Sequence, residues 1–404
     1  MKITVIAVFC FIFTFLIDLT IGIQQYIPQS ISKAILLSSV TCSYIYLTTR
    51  LSKNNRKDLL SGIILIYIFF LLIRLFYDFV IQDIFFFMYK SPVTLFFFVL
   101  NLIVFPAFFY KKYIVDIDIK LLNLYLLIYL GFFLILSILG NLSGTIVANT
   151  NDRYTGYGEL DIIYYGHLGV SYIIIGISIF INSKNKIFKT GGLIICCLLG
   201  FLAIVFSGSR GPFLALGCVL LYKYFSLIKS LKTFVWLVII GGFVLIFFID
   251  IILYINDFLI QFDITSFFRV VNSLTEETST SGRDILFFNA LNDFVENPVF
   301  GKSYLLDDGS YVHNIILEQF RALGFIGGSL FLIINIWTIK RGFHILKICP
   351  QYSLIPMLFM QYFIYGMFSR TIIALPQYWL CLFVLNNLFY KYARNFCSYS
   401  YLQK

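Results

Sequence analysis

Apolar runs long enough to cross a bilayer recur along the whole of this 404-residue chain. A transmembrane helix needs about 20 consecutive apolar residues, and such runs fall near residues 3–23, 31–49, 59–81, 91–110, 121–142, 161–182, 188–206, 211–228, 232–255, 313–339, 350–369 and 374–393. The expected fold class is an all-α polytopic membrane protein: one integral membrane domain over residues 1–404 with about twelve transmembrane helices. Composition agrees, with 60% hydrophobic and only 12% charged residues.

Basic residues resist translocation and mark the cytoplasmic side of short loops. With the N-terminus inside, 20 of the 30 Lys and Arg residues fall on one side, in Lys2 and the segments 50–57, 111–120, 184–189, 223–232, 340–347 and 391–404. Both termini are therefore expected to be cytoplasmic. The formal net charge of +10 follows from topology and an anionic inner leaflet, and gives no reason to expect nucleic acid. The first run lacks a small-residue cleavage pattern and reads as an uncleaved anchor.

Most cysteines sit inside apolar runs (Cys10, Cys42, Cys196, Cys197, Cys218, Cys381) without CxxC spacing, as small core residues do. No P-loop, HExxH, Gly-x-Ser-x-Gly or paired Cys/His set appears, so neither cofactor nor metal is expected.

Outer polar character collects in two loops, about 143–160 and 256–312, the latter between spans 9 and 10. Loops of that length tend to be functional. Within it, "SGRDILFFNALNDFVENPVFGKS" predicts a helix with Ser281 as N-cap, an apolar stripe of Ile285, Phe288, Leu291 and Val295, and a stop at Asn297 and Pro298. The stripe suits a short helix at the membrane interface.

The stretch "YVHNIILEQFRALGFIGG" (311–328) puts ionisable groups where a span begins, a costly placement in hydrocarbon. Helical spacing places His313, Leu317, Phe320 and Gly324 on one face, and Asn314, Glu318 and Arg321 on a neighbouring stripe. Gly324 and Gly328 form a GxxxG pair that would let another helix approach closely. Glu318 and Arg321 are spaced to neutralise each other at i, i+3. Arg74 and Asp78, four apart, read as a structural pair. Arginines punctuate the outer side at 153, 210, 269, 283, 321 and 370. A guanidinium stays charged and binds phosphate bidentately, so such a set suits an anionic ligand such as a lipid diphosphate. Arg210 and Arg370 equally suit long cations that snorkel to the interface without a ligand.

At the residue level the chain resembles the O-antigen ligase and Wzy-type polymerase superfamily of bacterial membrane glycosyltransferases. Four segments carry the resemblance. "HNIILEQFRALGFIG" has the histidine, polar residue, nine variable positions and Gly-x-x-Gly (His313, Asn314, Gly324, Gly327). "SGSRGP" holds Arg210, and "GRDILFFNALNDFVENPVFG" holds Arg283, Pro298 and Gly301. Arg153 precedes Gly169 by sixteen positions, a spacing similar to one in polymerases. Lys302, where many relatives continue with Gly-x-Gly, departs from the pattern.

The resemblance implies glycosyl transfer from a polyprenyl-diphosphate-linked glycan to a sugar hydroxyl, at the periplasmic face of a bacterial inner membrane, without a metal. It implies His313 as base, Arg210 and Arg283 as catalytic cations, and Arg153, Arg370, Asn314, Glu318 and Arg321 as substrate-binding residues. The implied partners are lipid-linked oligosaccharide donor and acceptor, membrane lipids and a chain-length regulator protein. Polymerisation of repeat units is the preferred reading; ligation to the lipid A core, or transport of the lipid-linked glycan, are the alternatives.

Overall fold

The structure, a computed structural model, describes residues 3–15, 29–51, 58–82, 84, 92–114, 117–143, 154–156, 161–180, 186–228, 248–261, 271, 282–307 and 309–393. Among these residues the fold is all-helical, with no strand. The helices are α1 (Ile3–Phe15), α2 (Gln29–Arg50), α3 (Leu59–Phe76), α4 (Pro92–Val99), α5 (Phe105–Lys112), α6 (Ile119–Leu142), α7 (Ile162–Phe180), α8 (Lys186–Ser207), α9 (Arg210–Leu227), α10 (Phe248–Ile260), α11 (Arg283–Glu296), α12 (Ile315–Ile348), α13 (Leu354–Phe368) and α14 (Pro376–Leu388). Among the described residues, six helical stretches are long and apolar enough to cross a membrane: Leu59–Ile81, Pro92–Lys112, Ile119–Leu142, Ile162–Phe180, Lys189–Ser207 and Ile315–Ile348. Leu354–Phe368 is apolar but shorter. Most of the run expected at 232–255 lies outside the described residues.

The chain forms two compact units, Met1–Leu122 with Thr280–Lys404, and Asn123–Ser279. In the first, α14 is buried at every position, as a helix apolar all round must be. It packs against α1, α5, α12 and α13. Trp379 lies 6.1 Å from the Tyr67 ring of α3, and the Tyr378 hydroxyl donates to Asn335 of α12 at 2.8 Å. Near the opposite end of α12, Arg341 grips Asp58 through both terminal nitrogens, at 2.7 and 3.1 Å, and reaches Asn386 of α14 at 3.0 Å. That bidentate pair, joined to an amide, ties three elements at one end of the unit.

In the second unit α7 and α8 meet through glycine. A Cβ on Gly169 would stand 2.4 Å from the Gly200 carbonyl, and one on Gly200 would stand 2.5 Å from that of Gly169. Neither residue tolerates a side chain without separating the helices, which is how small residues let membrane helices approach. Gly169 is thus accounted for by packing. Among the described cysteines all are free, and Cys10, Cys196, Cys349 and Cys381 are buried, in keeping with core roles.

Candidate functional site

Residues 283–325 of the first unit are organised around a break in α12. Gly324 leaves helical geometry (φ 65°, ψ −163°), so the 34-residue helix divides into an upper piece before 324 and a span after it. Unbroken it would run ~51 Å, well beyond a ~30 Å hydrocarbon core. In a continuous helix the Arg321 carbonyl would accept from the Phe325 N–H. Here Phe325 donates to the Pro298 carbonyl at 2.7 Å, and Arg321 accepts from the Lys302 N–H at 2.9 Å. The groups freed by the break are satisfied by the 298–302 turn lying across it.

The turn follows α11, which starts at Arg283 after a left-handed Gly282 and stops at Glu296; the expected N-cap, Ser281, lies outside the described residues. Gly301 also has positive φ (74°), and a Cβ there would sit 2.5 Å from the Arg321 and Ala322 carbonyls. A Cβ on Gly324 would stand 2.2 Å from the Val299 carbonyl. The expectation that Gly324 pairs with Gly328 to admit another helix is corrected: Gly324 admits loop backbone. The neighbours nearest Gly327 and Gly328 are Leu323 and Phe320 of α12 itself.

The two charges of the upper piece do not neutralise each other. Arg321, fully buried, donates from Nε to Asp293 of α11 at 2.7 Å and from an amino nitrogen to the Ser303 carbonyl at 2.8 Å. Lys302 reaches the other Asp293 oxygen at 2.8 Å. Burial opposes the Asp293 charge, but hydrogen bonds from Lys302 and Arg321 outweigh it and hold the carboxyl below the usual range. Glu318 turns the other way. Its Oε1 accepts from the Tyr304 hydroxyl at 2.5 Å, Gln319 Nε2 at 3.0 Å and the Ile372 N–H at 3.2 Å. Non-local carboxylate and hydroxyl partners win over the i, i+3 neighbour because α11 and the 303–304 backbone cover this part of the helix. The Arg74–Asp78 pair of α3 forms as expected, at 3.0 Å, and Asp78 additionally accepts from the Tyr304 N–H at 2.6 Å.

Just ahead of α12, Asn314 acts as its N-cap, accepting from the N–H groups of Ile316 and Leu317 at 3.0 and 3.1 Å. His313 precedes it with φ 58°, the one non-glycine residue at positive φ among those described. Such a conformation costs roughly 1–3 kcal/mol and persists only where surroundings impose it. Its ring lies 4.2 Å from that of Tyr311, whose hydroxyl donates to the Ser369 carbonyl, in the loop between α13 and α14, at 3.4 Å. Nδ1 is buried and has no hydrogen-bond partner among the described residues. Burial, then the Arg283 guanidinium, and more weakly Arg370, hold the His313 pKa below its ordinary 6.5, against the Ser369 contact that favours the charged ring.

Three residues singled out from sequence, His313, Arg283 and Arg370, thus converge from three separate segments. Arg370 is itself braced by the Tyr365 hydroxyl, 2.7 Å from its Nε. Asn314, Glu318 and Arg321 are occupied as a helix cap and in buried contacts. Arg210 is the exposed first residue of α9 in the second unit, following a left-handed Gly208. Arg153 and Arg269 lie outside the described residues.

Asp293, Tyr304, Ser369 and Thr371 were not foreseen. A buried Arg321 demands a carboxylate, and Asp293 on the polar face of a predicted helix was the available signal; the others are non-local contacts that no spacing encodes. The polar face of α11 lines a cleft of about 440 Å³ with Asn289, Asn292, Asp293, Glu296, Lys302 and Asp307. Leu306, on its wall, packs with Ala290 and Val312, so the cleft and His313 flank one small apolar core. The stripe Ile285, Phe288, Leu291 and Val295 is exposed. Among the described residues no three His, Cys, Asp or Glu side chains gather as a metal-ligand set.

Compared with protein-family models, with curated proteins and with solved structures, the chain finds no match in any of the three.

Proposed function

We propose that the protein transfers a glycan from a polyprenyl diphosphate to a sugar hydroxyl, polymerising repeat units of a bacterial surface polysaccharide. The observation that carries this reading is the convergence of His313 with Arg283 and Arg370. Diphosphate is already a good leaving group, so the chain has to supply cations for the departing charge and a base for the attacking hydroxyl. Arg283 and Arg370 meet the first need. His313 meets the second: its depressed pKa keeps it neutral at pH 7, and its buried Nδ1 has no partner among the described residues to compete with a substrate hydroxyl. The amides and carboxylates of the α11 cleft match the hydroxyls of a glycan chain. The exposed apolar stripe of α11 suits a helix resting on the membrane surface, beside the lipid tail of such a donor.

The reading carries with it twelve spans, cytoplasmic termini and an outward-facing site in a bacterial inner membrane. The resemblance to O-antigen ligases and Wzy-type polymerases supports it. Ligation to a lipid A core uses the same chemistry with another acceptor.

The test is turnover of a defined polyprenyl-diphosphate oligosaccharide by purified protein. His313→Ala and Arg283→Ala are each expected to lose about 100-fold or more in kcat, and EDTA is expected to leave the rate unchanged. Full activity in both variants overturns the site; lipid movement between leaflets without a new glycosidic bond favours transport instead.

A further inference from the structure

Tyr304 stands where three parts of the first unit meet. Its N–H donates to Asp78, in the turn that follows α3, at 2.6 Å, and its hydroxyl lies 2.5 Å from Glu318 of α12 and 2.8 Å from Thr371 in the loop between α13 and α14. Glu318 also accepts from the Ile372 N–H, and its neighbour Gln319 accepts from Tyr67 of α3 at 2.7 Å. Tyr304, Glu318, Gln319 and Thr371 are all fully buried. Beyond them, the Ile372 carbonyl accepts from Trp379 of α14 at 2.9 Å. The segment 369–372 is therefore fixed on one side by a carboxylate clasp. On its other side the Ser369 carbonyl accepts at 3.4 Å from the hydroxyl of Tyr311, whose ring packs 4.2 Å from that of His313, and the Arg370 charge acts on the imidazole.

We propose that Glu318 is a positioning residue: acting through the Tyr304 hydroxyl, Thr371 and the Ile372 N–H, it sets the 369–372 segment that orients His313 and brings Arg370 beside it. A carboxylate suits this task because a single oxygen accepts three bonds, two of them from segments outside α12, where an apolar residue would leave the Tyr304 hydroxyl and the Ile372 N–H buried without that acceptor. Substrate never needs to touch Glu318. Its influence on turnover rests on the function proposed above; the clasp itself does not.

The chain has three histidines, so ¹³C-histidine NMR of the full protein in lipid nanodiscs isolates His313, assigned by the signal lost in His313→Gln. The charged and polar groups facing that ring are Arg283 from α11, Arg370 and the Ser369 carbonyl from the α13–α14 loop, and Tyr311 from its own loop. Glu318→Ala is expected to shift the His313 resonance and to move its titration midpoint up toward 6.5 as the ring becomes less buried. Glu318→Gln retains an acceptor oxygen and is expected to keep the wild-type spectrum and midpoint. In turnover, Glu318→Ala is expected to lower kcat about 10–100-fold with KM changed little, and Glu318→Gln to restore most of it.

Tyr304→Phe and Thr371→Val remove single hydroxyls and report on the same resonance if Glu318→Ala fails to fold. An unmoved His313 signal in folded Glu318→Ala, or in both milder variants, overturns the clasp even if the protein proves to be a glycosyltransferase. A moved signal in a protein without transferase activity keeps the clasp and removes the function.

Discussion

Two regions of the molecule solve the same problem, bringing backbone against backbone, in different ways. Between α7 and α8, Gly169 and Gly200 let two regular helices touch, and no charge is involved. At the α12 break, Gly324 and Gly301 let an irregular turn lie on a helix that has given up its own hydrogen bonds, and Arg321, Asp293 and Lys302 close around the joint. The first arrangement is a packing solution that any membrane helix pair can use. The second exposes carbonyls and N–H groups that only one partner segment can satisfy, and so it fixes where a loop and its charges stand. Freed backbone groups persist in a protein interior only where partners satisfy them, which the 298–302 turn does.

The contrast can be broken at either end. The largest expected effect is Arg321→Ala, which leaves Asp293 beside Lys302 alone in a partly buried site; loss of one partner of a buried pair costs about 3–5 kcal/mol. Thermal unfolding in detergent checks the size. Hydrogen exchange checks the place, with protection lost over 283–323 and retained in α7 and α8. Gly324→Ala follows, at about 2–5 kcal/mol, because left-handed strain adds to the clash with Val299. Gly169→Ala meets a carbonyl without that strain, so about 1–3 kcal/mol is expected, and His313 should keep its NMR signal.

Acid sharpens the comparison further. Asp293 is held below the ordinary carboxylate pKa, so its contribution is present above about pH 4 and is lost as pH falls through its lower folded value. The α11 joint should loosen there. His313 acts in the same direction at higher pH. Because its folded pKa lies below 6.5, the unfolded chain takes up the proton first, and stability declines as pH drops through about 6.5. The smallest effect is a shift: beyond its loss in kcat, Arg283→Gln removes a cation opposing the imidazolium and should move the acid limb of the pH–rate profile upward.

Helical class, the α11 stripe and its stop at Asn297 were legible in the sequence, because local periodicity and end signals write them. So were His313, Arg283 and Arg370 as residues worth watching, since charge at the edge of an apolar run needs a reason. The break at Gly324 was not: its spacing fits a regular helix, and only the approach of residues 298–302 makes a left-handed glycine the better solution. For the same reason the i, i+3 pairing of Glu318 with Arg321 was a sound local inference that tertiary partners displaced. Tyr304 had no local signature at all, since its contacts lie in α3, α12 and the loop before α14.

The complete burial of α14 also sets an order of assembly. The first unit draws on residues 1–122 and 280–404, and its centre is a helix that leaves the ribosome after almost everything it packs against. The second unit is continuous in sequence and can close while synthesis is still under way. The first must wait, its early helices inserted but unsealed, until residues 376–388 arrive. A chain stopped short of α14 should therefore carry a finished second unit and a first one open to proteases.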